Sequence, residues 1–146
     1  MDYDLNGGES MGNITKKTDV ADTYNYESGL PHAVRSIEVV NGTNPYPNDE
    51  VNFTYTAFNN VKQVYTSSKS LSISYDAHDM RKKTVYTESG STRTKYFAGG
   101  LYEKVIEPDG TIREWNYIYT EAGLTAVYEI IDGQGGTLYY THTDHL

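Results

Sequence analysis

Five tyrosines set a ruler along this chain: Tyr55, Tyr75, Tyr96, Tyr117 and Tyr139 follow one another at intervals of 20, 21, 21 and 22 residues. A fixed period of this size marks a repeated supersecondary unit, and such units fold by stacking on their neighbours. Each tyrosine sits late in a strand-like run, and most precede turn chemistry. The turns are Thr56-Ala57-Phe58-Asn59-Asn60, Asp76-Ala77-His78-Asp79, Phe97-Ala98-Gly99-Gly100 and Thr120-Glu121-Ala122-Gly123. A second set falls between them, at Ser89-Gly90-Ser91, Pro108-Asp109-Gly110 and Asp132-Gly133-Gln134-Gly135-Gly136. One period therefore holds two strands and two turns, which is a hairpin plus its connection to the next.

Alternation inside the runs has the period of two that a strand requires. Val51, Phe53 and Tyr55 share one face, with Asn52, Thr54 and Thr56 on the other; Leu71, Ile73 and Tyr75 alternate with Ser72 and Ser74. Towards the C-terminus both faces become partly apolar. Ile112 and Ile118 oppose Trp115, Tyr117 and Tyr119, while Leu124, Ala126, Tyr128 and Ile130 face away from Val127 and Ile131. No segment keeps helical spacing. In the N-terminal third, strands are expected at about Ile14–Thr18, Thr23–Glu27 and Ala33–Val40, followed by a Pro-containing loop over 41–49. The expected fold is all-β: a meander of antiparallel hairpins in a curved, twisted sheet. It forms one region over 1–146, irregular over 1–50 and regular over 51–146.

Composition narrows the function classes. Hydrophobic residues make up only 37 %, and 15 tyrosines stand in for aliphatic side chains. That balance suits a pleated, half-wet surface better than a thick core. Thirteen glycines supply turns. The formal net charge of −8 argues against nucleic-acid binding, since an acidic surface repels a phosphate backbone. The absence of cysteine excludes disulfides and thiolate metal sites. There is no signal peptide and no apolar run of membrane-crossing length, so membrane insertion is not expected. Met1 leads straight into a repeat and Leu146 ends in mid-pattern, and the expectation is a fragment cut from a larger chain.

At this point the residues resemble a known family. Tyr3-Asp4-Leu5-Asn6-Gly7, resuming at Gly12-Asn13-Ile14-Thr15, is similar to the YD-repeat consensus of RHS proteins, with Gly8-Glu9-Ser10-Met11 as an insertion in the turn. Pro31-His32-Ala33-Val34 resembles a stretch common in that family. Tyr55-Thr56-Ala57-Phe58-Asn59 and Tyr75-Asp76-Ala77-His78-Asp79 look like two further repeats, the second with Asp79 where the family usually has Gly. The closing Tyr139-Tyr140-Thr141-His142-Thr143-Asp144-His145-Leu146 is similar to the start of the RHS core signature. The resemblance implies a β-shell wall in a secreted or cell-surface protein. Its partners would be the rest of the parent protein and an enclosed C-terminal effector domain. It also implies structural roles for Tyr3, Asp4, Gly12, Asn13, Tyr55, Phe58, Asn59, Tyr75, Asp76, Tyr96, Tyr117, Tyr139, Asp144, His145 and Leu146. The self-cleavage aspartates of such proteins lie beyond the signature and have no counterpart here.

The remaining residues offer few candidates for chemistry. Asp2, Asp4, Asn6 and Gly7 match the opening of an EF-hand loop, but its twelfth position is Asn13 instead of a bidentate Glu. His142, Asp144 and His145 form a short acid–base or metal-type cluster that the signature already explains. Glu107, Asp109, Glu114 and Glu121 could be read as a glycosidase pair, yet they fall in ordinary hairpin turns and exposed strand positions. Trp115, Tyr117 and Tyr119 form a candidate sugar-stacking strip, so a surface glycan is the alternative partner. Asn13, Asn41 and Asn52 lie in glycosylation sequons. No cofactor, no metal and no enzymatic activity are expected. Raw sheet edges predict self-association of the isolated chain.

Overall fold

A computed structural model describes residues 2–3, 12–17, 19–27, 30–38 and 50–142. They form thirteen strands and, among the described residues, no helix. The strands are β1 (Asp2–Tyr3), β2 (Ile14–Lys16), β3 (Thr23–Glu27), β4 (Leu30–Glu38), β5 (Val51–Tyr55), β6 (Val61–Tyr65), β7 (Lys69–Tyr75), β8 (Arg81–Glu88), β9 (Ser91–Ala98), β10 (Tyr102–Ile106), β11 (Ile112–Thr120), β12 (Gly123–Ile131) and β13 (Thr137–Tyr140). The fold is the expected all-β meander, antiparallel and not closed. Strand β4 begins at Leu30, earlier than expected. Val39, Val40 and the 41–49 loop lie outside the described residues.

The turns explain why these strands stop where they do. In 56–60, 76–80 and 107–111 the first residue's N–H bonds to the fifth residue's carbonyl, at 2.8, 2.9 and 2.9 Å. The fourth residue's N–H returns to the first carbonyl at 3.1, 3.2 and 3.0 Å. That fourth position is left-handed each time: Asn59 at φ 62°, Asp79 at φ 58° and Gly110 at φ 89°. The three loops are one motif, a three-residue hairpin closed by a left-handed residue. Asp79 can stand where Gly would be easier because a short polar side chain tolerates this conformation. Ser89-Gly90, Gly99-Gly100 and Asp132-Gly133 instead show two successive positive φ values, the tight-hairpin geometry whose twist matches the strands.

The chain divides into two compact units, Met1–Ser70 and Leu71–Leu146. In the first, β1 pairs with β2, and β3, β4, β5 and β6 follow in chain order. In the second, which holds most of β7, the order β7 to β13 is again the chain order. Contacts among the described elements run only between sequence neighbours, so the described part of each unit is one sheet layer thick. Burial agrees. The only apolar residues that are fully buried among those described are Ala21, Val105 and Ala126, at 1, 1 and 3 %, joined by Ser36 at 4 %.

Register fixes the two faces of the second unit. Val105 lies opposite Lys95 on β9 and Arg113 on β11, while Tyr102 lies opposite Ala98 and Asn116. One face thus carries Lys95, Phe97, Glu103, Val105, Arg113, Trp115, Tyr117, Val127, Glu129 and Tyr139. The other carries Tyr96, Tyr102, Lys104, Glu114, Ile118, Ala126, Tyr128, Leu138 and Tyr140. The alternation read from sequence holds except at Leu124. A register shift after Ile118 sets Leu124 opposite Tyr119, so simple parity fails at the bulge. The 20–22-residue ruler marks every second strand (β5, β7, β9, β11, β13), but Tyr96 and Tyr117 point to opposite faces.

Candidate functional site

The repeat-signature residues of the first unit come together. Asn13 Oδ1 lies 2.8 Å from His32 Nδ1, joining the Gly-Asn stretch to Pro31-His32-Ala33-Val34. The Tyr26 hydroxyl donates to the Ile14 carbonyl at 2.8 Å, and the Tyr55 hydroxyl donates to the Val34 carbonyl at 2.7 Å. Burial pushes both phenols above their ordinary range. Leu30, His32, Ala33, Tyr55 and Asn59 line a shallow depression there. Phe58, in the neighbouring turn, is 76 % exposed. These tyrosines act as staples: the ring packs and the hydroxyl bonds backbone in another hairpin.

Asp76 is a turn residue. Its Oδ1 accepts the N–H groups of His78 and Met80 at 2.8 and 3.0 Å, which hold the carboxyl below its usual range. Asp109 accepts the Thr111 N–H at 2.9 Å to the same effect. Gly12 adopts φ 67°, in the left-handed region that favours glycine. Asp4, Asp144, His145 and Leu146 lie outside the described residues, as do the side chain of Tyr3 and most of the EF-hand-like stretch.

In the second unit the Val105 face carries an ionic network. Glu107 is 3.0 Å from Arg93 and 3.9 Å from Arg113, and Arg113 is 3.7 Å from Glu129. Glu103 takes Lys95 at 2.7 Å and the Tyr117 hydroxyl at 2.9 Å, and Glu129 accepts from Tyr139 at 3.2 Å. The Lys95 ammonium also lies 4.9 Å from the Phe97 ring centre. Long side chains of this kind lay apolar stems over the sheet while their charged ends stay wet. That is how Val105 becomes buried with no second layer above it among the described residues. On the opposite face Glu114 accepts from the Tyr102 hydroxyl at 2.6 Å and pairs with Lys104 at 3.6 Å. Tyr102 is pushed up to about 12 chiefly by the Glu114 hydrogen bond, and Tyr117 to about 12 chiefly by burial and then by Glu103.

These positions bear on the sequence candidates. Glu107 and Glu114 are on opposite faces, and Asp109 caps a turn, so the carboxylates do not converge as a pair. Of the proposed aromatic strip, Trp115 is half-buried between Glu103 and Glu129, its cross-strand partners. Tyr117 is half-buried and tied to Glu103, and only Tyr119 is well exposed, at 53 %. Tyr139 and Tyr140, at 52 and 69 %, are two exposed aromatics of the C-terminal strands that the strip omitted. Their run Thr137-Leu138-Tyr139-Tyr140 was the available signal. His142 is exposed, and among the described residues no group of three His, Asp or Glu could hold a metal ion. In comparisons with known proteins, no family model matches the chain, and no curated protein matches it.

Proposed function

We propose that this chain is a wall segment: a non-enzymatic structural stretch of a secreted or cell-surface protein of the RHS/YD-repeat type, which encloses or presents a C-terminal effector. The observation that carries the reading is the recurrence of one hairpin motif at Asn59, Asp79 and Gly110, together with Glu103, Glu107 and Glu114 that are already engaged by phenols and cations. Units that contact only their sequence neighbours can be added without limit, which is what a wall needs. The test is the parent reading frame beyond Leu146. A Gly-Ser continuation followed by an unrelated domain supports the proposal, whereas an immediate stop codon or a wall anchor counts against it.

The second reading is a glycan-binding surface. It rests on the exposed rings of Tyr119 and Tyr139 on the C-terminal strands. Binding on a glycan array that Tyr119→Ala abolishes would favour it over the wall. Retention of binding in that variant would remove the strip from consideration.

A further inference from the structure

We propose that β13 is a self-complementary edge through which two copies of this chain pair antiparallel about a two-fold axis at Tyr139. The proposal applies to the chain ending at Leu146 and rests on the geometry of one strand; within a longer wall the next strand would take this edge.

Strand β13 is the outer strand of its unit, and no described strand lies beyond it. All four of its residues are exposed. The Thr141 N–H bonds inward to the Thr125 carbonyl at 3.0 Å. In an antiparallel ladder, bonded and non-bonded pairs alternate. Tyr139 and Thr137 therefore direct their backbone groups inward to β12, and Leu138 and Tyr140 direct theirs outward. The outer row of this edge is the N–H and C=O of those two residues.

Edges are normally blunted by Pro, Lys, an inward charge or a bulge. Thr137-Leu138-Tyr139-Tyr140 has none of these, and its pairing with β12 runs without a register shift. By contrast β3, the outer strand of the first unit's main sheet, has two register shifts and ends in Glu27. The chain carries a net charge of −8, yet β13 carries no charge to repel its own copy.

The register follows from which groups point out. An axis at Tyr139 sets Leu138 opposite the second copy's Tyr140 and Tyr140 opposite its Leu138, which are two bonded pairs that use every outward group of the strand. An axis at Leu138 would call on Gly136, whose N–H already bonds the Tyr128 hydroxyl at 3.2 Å. An axis at Tyr140 would reach past the strand to His142. The Tyr139 axis also seats Leu138, 42 % exposed, against Tyr140, 69 % exposed, on the same face of both copies.

Sedimentation over a range of concentrations tests the association, and single cysteines test the axis, since the chain has no other. The proposal predicts a monomer–dimer equilibrium. Tyr140→Pro should abolish it, because that substitution removes only an outward N–H, which edge strands tolerate. Under mild oxidation Tyr139→Cys should cross-link, because facing non-bonded positions lie about 4.5 Å apart, within disulfide reach. Leu138→Cys and Tyr140→Cys should cross-link far less. A monomer at all concentrations overturns the proposal. So does an open-ended ladder of oligomers, a dimer indifferent to Tyr140→Pro, or preferential cross-linking at 138 or 140.

Discussion

Tyrosine in this chain is a residue with two attachments. Its ring lies on a pleated surface and its hydroxyl reaches a carbonyl or carboxylate, as at Tyr26, Tyr55, Tyr102, Tyr117 and Tyr139. For Tyr102 and Tyr117, at about 12 in the fold, the neutral phenol is the favoured form. Their stabilisation is complete below about pH 10, the ordinary phenol value, and is lost as pH rises through about 12. Phenolate absorbance during alkaline titration should show two groups that ionise last, at about 12. Glu114→Gln should bring one of them well down, whereas Glu103→Gln should move the other less, because burial is its larger cause. Asp76 and Asp109 have the opposite sign: their turn-holding bonds are intact above about pH 4 and fail as pH falls through the depressed values. The left-handed positions give a third test. Asn59→Gly or Asp79→Gly should raise stability by up to about 1 kcal/mol, read as a higher urea midpoint, and Asn59→Val should cost about 1–2 kcal/mol.

At the scale of the strand and hairpin, most of the structure was legible because its signals are local. Alternation marked β5, β7, β11 and β12, and Gly-, Asn- or Asp-bearing turns bracketed β8, β9 and β10 and preceded β13. The turn at Thr66-Ser67-Ser68-Lys69 was not read, because it contains no Gly, Pro, Asn or Asp. It is held by Thr66 Oγ1, which accepts the N–H groups of Ser68 and Lys69 at 3.3 and 3.2 Å. Bulges were also silent, and one of them moved Leu124. Trp115 looked exposed because its covering residues, Glu103 and Glu129, are neighbours only through register. The same register makes Val105 the best-buried large side chain, under Lys95 and Arg113. Val105→Thr should cost about 1–3 kcal/mol by burying a hydroxyl in an apolar position, read as a shift in denaturation midpoint. Single exposed ion pairs of the surrounding network should matter much less, at about 0–1 kcal/mol each.

At the scale of the whole chain, the account is of two sheet units that are each one layer thick and covered by their own side chains. Low aliphatic content, high tyrosine content and cross-strand charge pairs all belong to that design, since the described residues form no second layer to bury a conventional core. Where the chain sits in a larger protein is a proposal that its parent reading frame will decide. The physical claim beneath it can be tested on the chain itself. The heat-capacity change on unfolding reports how much apolar surface the fold removes from water, and a conventional globular chain shows about 12–15 cal/mol/K per residue. Calorimetry in dilute solution should give a value well below that range, near half of it or less. A value within the range would mean a buried core of ordinary size, and would contradict the single-layer account.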